Sequence, residues 1–181
     1  MKEIRLHGRG GQGVVTAAEI LATAAFFDGK CAQGFPTFGS ERMGAPVYAF
    51  VRIDDKKIRI HSKIYNPDYI IVQDSTLIGA TAVEVGLSEN GIALINSEKK
   101  PQDLTLNTKA KIITIPATKL ALEVLGKPIP NTVLLGAFVA ITDLVSLASL
   151  KKAIMHRFSG EMGQKNALAS EKAYEFVKNS R

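Results

Sequence analysis

A glycine-rich turn near the N-terminus is the first segment whose residue types and spacing could do chemistry. It consists of six consecutive residues, Gly8, Arg9, Gly10, Gly11, Gln12 and Gly13. A short buried strand is predicted at Ile4–Leu6, before the turn, and a helix is predicted to begin near Val14. Backbone N–H groups at such a turn, together with the positive end of a helix dipole, can bind an anion. Because glycine has no Cβ, a ligand or another chain can also approach closely.

The spacing of Gly8, Gly10 and Gly13 matches the G-x-G-x-x-G pattern of dinucleotide-binding folds. Those folds place an acidic residue at the end of the second strand. Here the predicted second strand ends near Gln33, and Asp28 precedes that strand. Three interpretations remain open: a dinucleotide site, a purely structural turn, and a turn that packs against another subunit near an active site. The third is favoured.

A second segment whose residue types could do chemistry is the loop from Phe35 to Pro46. Its candidate site residues are Phe38, Gly39, Ser40, Glu41, Arg42 and Gly44. Because the loop follows the second predicted strand, we expect it at the same sheet edge as the glycine turn, where α/β proteins bind ligands. Arg42 could bind a carboxylate or phosphate with its guanidinium fork while Glu41 holds it in place. The alternative is a solvated ion pair of little energetic value.

Composition excludes several function classes. The chain has 181 residues and one cysteine, Cys31, whereas an iron–sulfur cluster needs about four cysteine ligands. The histidines His7, His61 and His156 are too scattered for a zinc site. The net charge of +6 is not concentrated in a basic tract, so we do not expect nucleic-acid binding. No apolar run approaches a membrane span and no signal peptide is apparent, so we expect a cytoplasmic protein.

The pattern of the whole chain predicts one domain, residues 1–181, of the α/β class. We expect a three-layer, Rossmann-like arrangement with a mostly parallel but mixed sheet that includes an antiparallel hairpin. The hairpin is predicted from Val47–Ile53 and Ile58–His61. Asp74 or Ser75 is predicted to cap a helix over Leu77–Val85, and Asn131 or Thr132 to cap a helix that continues to Ile141. Further strands are predicted at 30–33, 69–72, 91–95 and 111–115, and further helices at 14–27, 117–125, 149–158 and 165–177.

The combination of motifs resembles the gamma subunits of 2-oxoacid:ferredoxin oxidoreductases. The resemblance begins with Gly8-x-Gly10-Gly11-Gln12-Gly13 and Phe38-Gly39-x-Glu41-Arg42-x-Gly44-Ala45-Pro46. It continues through Tyr65-x-Pro67-Asp68-Tyr69-x-Ile71-Val72-Gln73-Asp74 and Asn131-Thr132-Val133-Leu134-Leu135-Gly136-Ala137, and so covers nearly the whole chain. Members that act on 2-oxoglutarate tend to have Tyr-Gly-x-Glu-x-Arg-Gly-Gly in the second motif. Phe38, the earlier Arg42 and Ala45-Pro46 are instead similar to the pyruvate and branched-chain members.

The resemblance implies a subunit of a complex that decarboxylates pyruvate oxidatively to acetyl-CoA, with ferredoxin as electron acceptor, or runs the reverse reaction. It implies alpha, beta and delta partner subunits, with thiamine diphosphate, Mg²⁺, [4Fe–4S] clusters and coenzyme A used by the complex. We expect none of these cofactors to be bound by this chain alone, and we predict no catalytic residue or metal ligand in it. The two loops are expected to contact partner subunits and to shape the approach of coenzyme A. A branched-chain 2-oxoacid substrate and an independent Rossmann-type oxidoreductase remain alternatives.

Overall fold

The computed structural model describes residues 1–37 and 43–180 of the chain. Within these residues one mixed sheet of six strands is packed with five α-helices. The strands are β1 Lys2–Arg9, β2 Cys31–Pro36, β3 Pro46–Asp54, β4 Tyr69–Val72, β5 Ile92–Asn96 and β6 Lys111–Ile115. The helices are α1 Val14–Phe27, α2 Ala117–Leu125, α3 Asn131–Thr142, α4 Leu147–Arg157 and α5 Gly160–Asn179. The α/β class and the mixed sheet predicted from the sequence are confirmed.

The strand order is β2-β3-β1-β4-β5-β6, and β1, β4, β5 and β6 are mutually parallel. β3 is antiparallel to both β1 and β2. The predicted antiparallel hairpin therefore exists, but its strands are β2 and β3. The prediction that Ile58–His61 would pair with Val47–Ile53 is wrong, because both edges of β3 are already taken by β1 and β2.

The five helices pack on one face of the sheet, where Ile4, Leu6, Ile71, Leu94 and Ile115 meet them in the larger core. Helix α3 runs through this core, as its apolar sequence predicts, with Val133–Ile141 buried. Its N-cap residue is Pro130, so the prediction that Asn131 or Thr132 would be the N-cap is wrong, although Asn131 Oδ1 accepts the first-turn N–H of Thr132 at 2.8 Å.

The opposite face of the sheet is covered by turns rather than by α-helices. Ile70, Val72, Ala93 and Ile95 face a smaller core there, closed by Leu77 and other apolar side chains of the covering segments. Asp74 does cap a helical turn, but that turn is a single 3₁₀ turn, Ser75–Leu77.

The predicted helix over Leu77–Val85 is wrong. Gly79 and Gly86 have φ angles of +82° and +77°, which end helical geometry. Thr81, Val83 and Val85 are β-branched, which lowers helix propensity further. The remaining predicted strands and helices are present, with ends shifted by a few residues; for example, α5 begins at Gly160 rather than Lys165. No helix in the described parts of the chain is long and apolar enough to cross a bilayer.

Candidate functional site

The glycine turn lies at the carboxyl end of β1 and leads directly into α1. Gly8 is still part of β1 and is buried, and a Cβ added there would lie 2.5 Å from Val14 Cγ2. Gly13 is the N-cap of α1 and has a φ of +70°, a conformation that favours glycine. A Cβ added at Gly13 would lie 2.6 Å from Asn131 Nδ2. Glycine is therefore required at both ends of the turn, by close packing at Gly8 and by backbone conformation as well as packing at Gly13.

Asp74, which follows β4, holds the turn in place. Its Oδ2 atom accepts hydrogen bonds from Arg9 Nε at 3.1 Å and from Gln12 Nε2 at 3.0 Å. Its Oδ1 atom accepts bonds from the backbone N–H of Thr76 at 3.0 Å and from the Thr76 hydroxyl at 2.6 Å. Gln12 Oε1 in turn accepts the backbone N–H of Arg9 at 2.8 Å. We call Arg9, Gln12, Asp74 and Thr76 the Asp74 clamp.

The clamp keeps Asp74 ionised. Partial burial opposes its charge, but the pKa of Asp74 is nonetheless lowered, because Thr76 and Gln12 donate hydrogen bonds to it and Arg9 carries a positive charge. The Asp74 side chain is only 17% exposed and that of Arg9 31% exposed. The ion pair is therefore partly shielded from water, and the two side chains are held more firmly than in a surface pair.

The second predicted loop contacts the glycine turn through its last residues, which the structure describes from Met43 onward. Gly10 bridges to Met43, its N–H donates to Ala45 O at 2.9 Å, and its carbonyl accepts the N–H of Gly44 at 3.1 Å. Arg9 Nη1 also donates to Gly44 O, at 3.1 Å. The two predicted loops are thus adjacent at one edge of the sheet. Five of the predicted site residues, Phe38, Gly39, Ser40, Glu41 and Arg42, lie outside the described residues.

The strand order does not bring the end of β2 to the glycine turn as in a dinucleotide fold. β3 lies between β1 and β2, so a residue at the end of β2 is one strand further from the turn. Gln33 and Phe35 occupy the last part of β2, and neither is acidic. The acidic side chain that does reach the turn is Asp74 from β4, and it binds Arg9 and Gln12.

A groove of about 450 Å³ opens beside the turn, between Gly13, the segment before α3 and the start of α5. Asn131 lines it and donates a long hydrogen bond to Gly13 O, at 3.4 Å. Ile129 and Met162 line the same groove and are 38% and 55% exposed. Met43, next to the turn, is 91% exposed. Exposed apolar side chains grouped around a polar turn are typical of a surface that contacts another protein.

Two residues of this site, Asp74 and Asn131, were predicted only as helix caps. The signal that could have found Asp74 is its position directly after a buried parallel strand, at the edge where ligands bind. Asn131 leaves no comparable signal, because its contact with Gly13 spans 118 residues of chain. In the described part of the chain no three His, Cys, Asp or Glu side chains cluster so that they could hold a metal ion. A single cysteine in the whole sequence also does not fit an iron–sulfur cluster.

Comparison with known proteins extends this description. Residues 3–176 match the family model described as pyruvate ferredoxin/flavodoxin oxidoreductase. The pyruvate synthase subunit PorC of Methanocaldococcus jannaschii is 57% identical, over 96% of this chain and 96% of that protein. The common gamma subunit of the pyruvate/ketoisovalerate oxidoreductases of Pyrococcus furiosus is 52% identical, over 97% and 96% of the two chains.

A solved structure agrees with the sequence comparisons. The crystal structure of the pyruvate oxidoreductase subunit PORC from Thermotoga maritima superposes with a TM-score of 0.87. The two chains are 40% identical, and the likeness covers 96% of this chain and 95% of the other. The chain therefore belongs to the pyruvate ferredoxin/flavodoxin oxidoreductase family.

Proposed function

We propose that this chain is the gamma subunit of a pyruvate:ferredoxin oxidoreductase that works in the cytoplasm. The complex would convert pyruvate and coenzyme A to acetyl-CoA and CO₂ with reduction of ferredoxin, or run the reverse reaction. The observation that carries the proposal is the likeness, along 96% of the chain, to proteins named as PorC subunits of pyruvate synthase or pyruvate oxidoreductase. Alpha, beta and delta subunits are the proposed partners.

The redox and thiamine chemistry belongs, in this proposal, to the companion chains. Bound there, thiamine diphosphate with Mg²⁺ would activate the ketone carbon of the oxoacid, and [4Fe–4S] clusters would carry the electrons to ferredoxin. One cysteine cannot ligate such a cluster. This chain would instead contribute position: it would hold a rigid backbone surface against its partners and shape the approach of coenzyme A.

The Asp74 clamp supports the positional role. Asp74 accepts two hydrogen bonds from side chains of the glycine turn, Arg9 and Gln12, and two more from Thr76, so it fixes the turn to the segment that follows β4. The turn's backbone can then be presented to a partner without an entropic cost at the moment of contact. The exposed Met43 and the groove lined by Ile129 and Met162 both adjoin the turn and offer apolar area to the same partner.

Arg42 is the proposed contact to an anionic group of coenzyme A or of a partner chain, with Arg9 as the second candidate. The Nε, Nη1 and Nη2 atoms of Arg9 donate hydrogen bonds to Asp74, Gly44 and Thr76, so its guanidinium is already engaged within the chain. Replacing Arg42 with Ala should raise the KM for coenzyme A or weaken assembly of the complex. Unchanged kinetics in an intact complex would remove Arg42 from this role.

Ketoisovalerate and related branched-chain oxoacids are the second candidate substrates. The relative from Pyrococcus furiosus, 52% identical, is named as a gamma subunit common to pyruvate and ketoisovalerate oxidoreductases. One gamma chain could therefore serve two complexes that differ in their catalytic subunits. Turnover of the purified complex with pyruvate and with 2-ketoisovalerate separates the two substrates.

Affinity purification of the tagged chain from its native source tests the proposal. We expect thiamine-dependent and cluster-containing chains to co-purify, with pyruvate-dependent reduction of ferredoxin in the eluate. Calorimetric titration of the isolated chain with NAD(H), NADP(H) and FAD tests the independent oxidoreductase. Tight binding of any of these, without companion chains, would contradict the proposal.

A further inference from the structure

A second polar cavity lies at the same sheet edge as the glycine turn, on the side of the parallel strands. We call it the strand-end cleft: it is formed by residues at the ends of β4, β5 and β6, by the first turn of α2, by Pro128 and Pro130, and by Gln12 of the glycine turn. Its volume is about 490 Å³. Cavities outside the carboxyl ends of parallel strands are the usual ligand sites of α/β proteins.

Gln73 lines this cleft with an amide that has no hydrogen-bond partner. The residue is 1% exposed, and within the described residues neither Oε1 nor Nε2 makes a hydrogen bond. Its backbone is fully used, since its N–H donates to His7 O and its carbonyl accepts Asn96 Nδ2, both at 2.8 Å. A buried amide without partners destabilises the folded chain, so its retention calls for a function. Rotation about the terminal torsion, which is soft, can turn this amide toward the cleft.

The charges around Gln73 favour an anion. Asp74 lines the cleft, but its charge is balanced by Arg9. Among the other lining residues, Lys99 and Lys119 outweigh Glu98, and neither lysine forms an ion pair within the described residues.

The first turn of α2 adds to this positive potential. The N-cap residue of α2 is Pro116, whose side chain makes no capping hydrogen bond, and the first turn of α2 contains no acidic residue. One side-chain bond reaches that turn, from the N–H of Thr118 to Asn96 Oδ1 at 3.1 Å. The positive end of this helix, beside two lysines, attracts an anion at the mouth of the cleft.

We infer that the strand-end cleft binds the phosphate group of a small ligand. Lys99, Lys119 and the first turn of α2 would hold the anion, and the Gln73 amide would turn outward to donate a hydrogen bond to it. The cleft shares Gln12 with the glycine turn, but the inference does not depend on the proposed reaction. The volume leaves room for more than a bare phosphate, which favours a phosphate ester.

Titration of the full chain with inorganic phosphate, followed by two-dimensional amide NMR, tests the site. We expect saturable shifts at Ser97, Thr118 and Lys119 that chloride at equal ionic strength does not reproduce. Adenosine monophosphate is the second probe. Tighter binding of the nucleotide than of phosphate identifies an ester as the ligand, and tighter binding of phosphate identifies the free anion; both support the site.

Two pairs of variants sharpen the test. Gln73→Met should weaken phosphate binding about tenfold, as expected for loss of one hydrogen bond to a charged group, while leaving the melting temperature equal or higher. Gln33→Met is its matched control, because Gln33 Oε1 is also buried without a partner but lies on β2, away from the cleft. Lys119→Met should weaken binding, whereas Lys111→Met, at the start of β6, should not. Absence of saturable shifts, or equal binding by wild type and Gln73→Met, overturns the inference.

Discussion

Two strand-to-helix junctions lie at one edge of the sheet, and they differ in whether the polar side chains beside them are hydrogen-bonded within the chain. At the first, β1 passes through the glycine turn into α1, and each side-chain nitrogen of Arg9 and both polar side-chain atoms of Gln12 have a partner within the chain. At the second, β6 passes through Pro116 into α2, and the Gln73 amide, which lines the same cleft as this junction, has no partner among the described residues. A junction that is satisfied internally forms a rigid surface, whereas one with unpaired groups is suited to bind a ligand.

The largest expected change in unfolding free energy is at Gly13, where a substitution tests whether the first junction depends on close packing as well as on backbone conformation. Gly13→Ala combines an unfavourable φ of +70° with a Cβ only 2.6 Å from Asn131 Nδ2. We expect it to lower the free energy of unfolding by about 2–4 kcal/mol in urea titrations.

The matched control is Gly126→Ala, where φ is +67° and no atom lies within 4 Å of the added Cβ. Only the conformational cost, about 1 kcal/mol, should remain there. Adding Asn131→Ala to Gly13→Ala should recover part of the loss. Equal losses for the two glycine variants would show that packing against Asn131 contributes nothing.

The next effect concerns the Asp74 clamp. Asp74→Asn removes the charge that binds Arg9, and we expect a loss of about 1–3 kcal/mol of unfolding free energy at pH 7. Asp55→Asn, at an exposed position, should change it by less than about 0.5 kcal/mol.

The pH dependence of this loss has a defined sign. Because the pKa of Asp74 is lowered in the folded chain, its stabilisation is present above the ordinary value of 3.8 and disappears as pH falls below it. The difference between wild type and Asp74→Asn should therefore shrink in acid. A difference that stays constant between pH 7 and pH 3 would contradict an ionised clamp.

His7, on the strand that leads into the first junction, should make the free energy of unfolding sensitive to acid. Burial, with a smaller contribution from the charge of Arg5, lowers the pKa of His7 to about 3. Between pH 6.5 and about 3 the unfolded chain therefore binds a proton that the folded chain does not. Stability should be fully retained above pH 6.5 and fall below it, by about 2 kcal/mol at pH 5.

Equilibrium unfolding across this pH range, on wild type and His7→Gln, measures the effect. The glutamine variant retains a hydrogen-bond acceptor for Arg5 Nε, which His7 Nε2 binds at 3.0 Å, but cannot titrate. Its stability should depend less on pH between 6.5 and 5. His61→Gln, at an exposed position, should follow the wild-type profile. Parallel profiles for wild type and His7→Gln would show that His7 is not the group responsible.

The smallest effect belongs to the second junction. Thr118 Oγ1 accepts a hydrogen bond from Asn96 Nδ2 at 2.7 Å, and Thr118→Val removes that acceptor. Asn96 Nδ2 keeps its bond to Gln73 O, so we expect a loss of only about 1 kcal/mol in urea titrations. Thr105→Val, at an exposed position in a loop, is the control and should be near neutral. A loss at Thr118 as large as that of Asp74→Asn would erase the contrast between the junctions.

Local patterns predicted the strands, most helices and the glycine turn, because each depends on residues close together in sequence. β6 and α2 have the predicted bounds for this reason. The partner of β3 could not be predicted in the same way, since an alternating strand indicates which face is buried but not which neighbour it pairs with. The contact between Gly13 and Asn131 and the pairing of Arg9 with Asp74 join distant segments. They follow from the strand order, which periodicity does not reveal.

Omission of one chain from a reconstituted complex tests the central claim most directly. Purified companion subunits, with thiamine diphosphate, Mg²⁺ and coenzyme A, are assayed for pyruvate-dependent reduction of ferredoxin with and without this chain. We predict that turnover appears only when the chain is present, and that the chain alone reduces neither ferredoxin nor a nicotinamide or flavin. Full activity of the companion subunits without it would contradict the account, as would redox turnover by the isolated chain.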